Sequence, residues 1–217
     1  MKSLKKLALA SLTLTALASG TALAADEKRV WILPTAPGPE PAEMESVEVG
    51  AHAVFGTGDP ADGATILVRD LVNRNVTAQI ASSALEPNVA YSIWWVVFNY
   101  PEFCSAPYEC TGGDLEVNGG DPDVKASVFW AGGILADGSG TGTTFLNLQP
   151  GATTRELFAM SEPYGLENVD EAELHLVLRS HGPSGVAGTL ADQLRTANLA
   201  CPEDGCSNRF FSIHRAR

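Results

Sequence analysis

The residues able to do chemistry are few, and most of them lie late in the chain. Of the four histidines, His52, His175, His181 and His214, two fall in the stretch "ELHLVLRSHG". Glu173, His175, Val177, Arg179 and His181 share one parity there, and the leucines share the other. A strand over this stretch turns its leucines to a core and its histidines away. With His214 on a last strand, His175 and His181 would form an imidazole set suited to copper or zinc. In a straight strand, at about 3.3 Å per residue, His175 and His181 stand about 20 Å apart. The site therefore requires a turn at Gly182-Pro183. The competing reading gives all three histidines ordinary hydrogen-bonding roles.

The four cysteines, Cys104, Cys110, Cys201 and Cys206, are an even set and read as disulfides of an oxidising compartment. The expected pairing is local, Cys104–Cys110 and Cys201–Cys206, across loops carrying Pro107, Pro202 and Gly205; two other pairings stay open. Zinc on cysteine is disfavoured because no two matched knuckles occur. With both bridges closed there is no thiol nucleophile. No G-x-S-x-G elbow is present. Ser184 stands near His181 in "SHGPSG", but neighbours in sequence do not make a triad. No Gly-rich phosphate loop joins a strand to a helix. No catalytic residue is assigned on these grounds.

"GTGDPADG" and "GGDLEVNGGDPD" supply oxygen ligands for calcium, although neither follows the EF-hand pattern and both are ordinary turn formers. No cofactor is expected; copper, zinc and calcium are the alternatives.

These residues need a scaffold, and the scaffold reads as β. Val47 to Phe55, Ala64 to Arg69, Val76 to Ser82, Tyr91 to Asn99, Ala126 to Ala131, Leu174 to Leu178 and Phe211 to Ile213 are strand-like runs between turn residues. Ile134 to Leu148 reads as a hairpin across "ADGSG". Thr189, with Asp192 three residues on, caps one short helix whose buried face is Leu190 and Leu194. Many short strands and a single helix predict an all-β domain, a sandwich or barrel-like fold of antiparallel strands.

One strand does not alternate. "YSIWWVVFNY" is apolar at both parities, so both of its faces must be covered. The expectation is that Trp94 faces the sandwich core while Trp95 faces outward under the apolar arm around Trp31. The functional alternative makes Trp95 and Trp31 an aromatic ligand platform.

At the front, Lys2, Lys5 and Lys6, the apolar run Leu7 to Leu17, and Ala22-Leu23-Ala24 have the form of a signal peptide over residues 1–24. An apolar then Pro-rich arm, 25–45, and a β-domain, 46–217, follow. Periplasmic or secreted location is expected. The first 24 residues hold three of the 14 lysines and arginines and none of the 26 acids. The remainder (11 against 26) carries a net charge of −15. That excludes nucleic acid and anionic membrane surfaces as partners, because both require basic patches. A ligand or protein partner is left unspecified.

"WWVVFNYPEFC", "ELHLVLRSHG" and "CPEDGC" before "FFSIH" together resemble a group of uncharacterised exported bacterial β-rich proteins. There is a looser likeness to chordin-like β-sandwich modules. The resemblance implies export and a sandwich fold, and it implies no activity. The combined expectation is an exported, disulfide-stabilised β-domain with a binding or structural role. The alternative is a copper- or zinc-dependent enzyme or metal carrier using the late histidines.

Overall fold

The computed structural model describes residues 26–30, 33–34, 63–71, 73–151 and 162–215. Their strands are β1 (Asp26–Val30), β2 (Leu33–Pro34), β3 (Gly63–Asp70), β4 (Asn75–Ser82), β5 (Val89–Phe98), β6 (Ala126–Leu135), β7 (Gly142–Leu148), β8 (Glu173–Pro183) and β9 (Ser207–His214). One helix, α1 (Leu190–Arg195), stands between β8 and β9. The strands form two antiparallel sheets, β1-β3-β4-β7 and β2-β9-β8-β5-β6. The expected all-β, sandwich-like class is what the chain adopts, and among the described residues the sheets do not close into a barrel.

Alternation produces the first core. Val76, Ala78 and Ile80 of β4 point inward while Thr77 and Gln79 point away. Leu174, Leu176 and Leu178 of β8 do the same from the other sheet. Between the sheets they meet Leu67, Leu146, Ile93, Trp95, Val97 and Phe129.

β5 is buried along its whole length. Its other face builds a second, smaller core of Trp94, Val96, Phe98, Val128, Val124, Cys104 and Cys110. The two tryptophans are thus placed the opposite way from the sequence expectation. Trp95 pairs with Leu176 and Phe129 and lies in the core between the sheets, whereas Trp94 faces outward.

The cover of that outer face also differs from expectation. It is the segment 101–125, closed by the Cys104–Cys110 disulfide, together with α1 and the residues after it. β1 and β2, from the predicted arm, add to the sheet edges beside β3 and β9 instead of crossing a face. Trp31 lies outside the described residues, as does the strand expected over 47–55.

Asp114 organises the first cover. It accepts hydrogen bonds from Ser105 N and Thr111 N, both at 2.7 Å, and from Thr111 Oγ1 at 3.0 Å. Burial alone would raise its pKa, but these donors hold it below the usual carboxylate value. Part of the calcium-like "GGDLEVNGGDPD" is therefore turn chemistry. Asp121 likewise caps Asp123 N at 2.9 Å. The other calcium-like stretch lies almost wholly outside the described residues.

Thr189 caps α1 as expected, accepting from Asp192 N at 3.1 Å. The buried residue of α1 is Gln193, however, while Leu190 and Leu194 are only half-buried. α1 sits close to β6 because Gly133 has no side chain. A Cβ there would come within 2.8 Å of both Leu194 Cβ and Leu194 O. The predicted hairpin across "ADGSG" is instead a crossover, with β6 in one sheet and β7 in the other. Asp137 shapes that turn by accepting from Ser139 N and Thr141 N, so the turn signal was genuine although no ladder joins the strands it links.

Candidate functional site

The late histidines are not brought together. Register places His175 opposite Ile213 and His214 opposite Leu174, so they lie on opposite faces of one sheet. His175 Nε2 is 2.7 Å from Glu173 Oε1, and its ring meets Phe98 edge-on at 5.1 Å. Arg215 Nη1 lies 3.8 Å from Glu173 Oε2 and donates to Tyr108 O at 2.7 Å. This ion-paired group ties the chain end to the first disulfide loop. His214 Nε2 is 3.4 Å from Ser212 Oγ on the inner side. A single ion on His175, His181 and His214 is therefore not what this arrangement offers.

His181 is at the centre of a different cluster. Its Nε2 is 2.9 Å from Ser92 Oγ, and Trp94 Nε1 donates to the same oxygen at 2.8 Å. Its Nδ1 is 3.1 Å from Leu199 O and 3.0 Å from Cys206 Sγ. Leu199 O can only accept, which puts the ring proton on Nδ1 and leaves Nε2 to accept from the Ser92 hydroxyl. Burial lowers the His181 pKa, so the ring is neutral at pH 7. Ser92 and His181 are both fully buried.

The chain geometry around His181 is specific. Gly182 has φ +71°, and a Cβ on it would lie 2.7 Å from Pro202 Cγ, so glycine lets the second disulfide loop settle beside the histidine. Gln193 holds the turn, donating to His181 O and Pro183 O, both at 3.1 Å, and accepting from Gly185 N at 2.7 Å. Cys201–Cys206 is closed across a tight turn with Gly205 N donating to Pro202 O. Both local disulfides form as expected. His181, Cys201 and Cys206 have their ligand atoms within 4.8 Å of one another.

Ser92 escaped the sequence reading, although a signal existed. It is a hydroxyl in a strand covered on both faces, and a buried hydroxyl needs a partner.

Trp95 offers no platform, because it is wholly buried between the sheets. An exposed aromatic surface exists elsewhere. On the outer side of the four-stranded sheet, Phe145 is 74% exposed. Ile66, Val68, Thr77, Gln79 and Asn147 line a shallow groove with it. Gln79 stands directly opposite Phe145 across β4 and β7, and Thr77 opposite Asn147.

Comparison with protein-family models, with curated proteins and with solved structures finds no match to this chain. Among the described residues no helix is long and apolar enough to cross a membrane.

Proposed function

We infer that the chain is an exported, disulfide-stabilised β-sandwich module that binds without catalysing, and that its ligand is a neutral polysaccharide held on the outer side of the four-stranded sheet. The carrying observation is the exposed Phe145 ring beside Gln79, Thr77 and Asn147 in a groove where the lining side chains among the described residues carry no charge. An aromatic ring accepts the apolar face of a sugar, and amides and hydroxyls pair with its hydroxyl groups. The net charge of −12 repels polyanions and leaves a neutral chain unaffected. A groove open along a sheet suits a polymer better than a small molecule, which needs an enclosed pocket. Export is supported by the signal-like residues 1–24 and by the two disulfides.

The test is retention on insoluble cellulose, chitin and xylan, comparing the full protein with Phe145→Ala. Phe145 is exposed, so the variant keeps the fold. Retention of the wild type on at least one polymer, lost in the variant, is the expected result. Equal retention of both proteins, or of neither, overturns the reading.

A further inference from the structure

The two disulfides sit in different chemistry. Cys104 and Cys110 are buried in the second core, where a backbone carbonyl, Pro101 O, lies 3.9 Å from Cys110 Sγ. Cys201 and Cys206 are only partly buried, and an imidazole nitrogen lies 3.0 Å from one of their sulfurs. We propose that Cys201–Cys206 masks a redox-gated metal site: once reduced, Cys201, Cys206 and His181 Nδ1 bind one thiophilic cation, Zn²⁺ or Cu⁺.

The ligand set is already assembled. The spacing, four residues between the cysteines, is within the range of zinc knuckles, and thiolate with imidazole suits these soft or borderline ions. The turn from Pro202 to Gly205 keeps the cysteines adjacent after the bond opens. His181 also has the outer support that metal-ligating histidines require. With the metal on Nδ1, the ring proton moves to Nε2 and is donated to Ser92 Oγ, 2.9 Å away, which Trp94 Nε1 already fixes. Leu199 O loses the imidazole donor but keeps Thr196 Oγ1 at 2.9 Å. No buried carbonyl is left unpaired by the switch.

The electron balance is simple. A dithiol reductant gives two electrons and two protons to the S–S bond and leaves as its own disulfide, producing two thiols on the protein. Metal binding then releases both thiol protons to solvent. Three protein ligands leave a fourth position for water or an external ligand.

The experiment uses the full protein, with Co²⁺ as a spectroscopic probe for Zn²⁺. One portion is kept oxidised. The other is treated with a phosphine until alkylation and mass analysis show only Cys201 and Cys206 as free thiols. The reduced form is expected to take up one Co²⁺ with a sulfur-to-metal charge-transfer band and tetrahedral visible bands, and the oxidised form none. His181→Gln should weaken binding by about tenfold or more, as loss of a supporting group or ligand does. X-ray absorption of the Zn²⁺-loaded, reduced wild type should show two sulfurs at about 2.3 Å and an imidazole nitrogen at about 2.0–2.1 Å; this tests the ligand set even where the variant does not fold. Equal uptake by the oxidised protein, no uptake by the reduced protein, or a first shell of sulfur without imidazole overturns the proposal.

Discussion

Trp94 and Trp95 are consecutive residues of β5, yet each belongs to a different core. Trp95 is enclosed between the two sheets, and Trp94 lies under the loop closed by Cys104–Cys110. Truncating either to alanine should cost about 3–5 kcal/mol, as for other buried aromatics. Only Trp94 should be coupled to the disulfide. In double-mutant cycles with Cys104→Ala/Cys110→Ala, Trp94→Ala should show an interaction energy above about 0.5 kcal/mol, and Trp95→Ala should be additive within about that amount. The reverse result would mean that the two faces have been assigned wrongly.

Gly133 admits α1 to the outer face. Gly133→Val places a side chain against Leu194, including its backbone oxygen, which cannot rotate aside. Destabilisation of about 1–3 kcal/mol is expected, as for other overpacked sites. Amide exchange should accelerate selectively over 190–199. An unchanged exchange pattern would place α1 elsewhere.

Burial of His181 makes stability depend on pH in a defined direction. Its folded pKa lies below its unfolded value of about 6.5, so the unfolded chain binds the proton first. The contribution is intact above about pH 6.5 and is lost as the pH falls through the folded pKa. Melting temperature should therefore fall on acidification below about pH 6.5, and His181→Gln should flatten that part of the curve. A slope unaltered in the variant would assign the effect to other groups.

Arg69 is the buried cation of the sandwich core. It donates to Val169 O at 2.7 Å and to Ala172 O at 2.8 Å, and burial lowers its pKa to about 10. It ties β3 to the segment that leads into β8. Arg69→Met should cost about 1–3 kcal/mol for each carbonyl left unpaired. A lower urea midpoint at unchanged slope would show this; an unchanged midpoint would mean the carbonyls find other donors.

How much of this was legible in the sequence depended on whether the information was local. The strands of β4 and β8 announce themselves by alternation. The cap of α1 is fixed by Thr189 and Asp192, and the two disulfides close loops too short to need any distant partner. Burial of β5 on both faces was legible from its unbroken apolar run. Which tryptophan faced which side was not, because a strand apolar at both parities carries no face signal. The leucines of β8 orient that strand, but transferring the orientation to Trp95 requires the register Trp95↔Leu176, which is a long-range fact. The same limit hid the His181 cluster. It depends on the return of 199–206 to β8, on the shift in β8–β9 pairing between Leu178 and Arg179, and on Ser92, a hydroxyl 89 residues away. The exposure of Phe145 is also a long-range fact, because it follows from the pairing of β7 with β4 in the four-stranded sheet.

The proposed binding face is tested most directly by a ¹H–¹⁵N correlation spectrum titrated with a soluble neutral oligosaccharide of the retained polymer. Shifts confined to Ile66, Val68, Thr77, Gln79, Phe145 and Asn147 and their immediate neighbours are the predicted result. Shifts centred on His181 and the Cys201–Cys206 loop, or no shifts at saturating sugar, would contradict it.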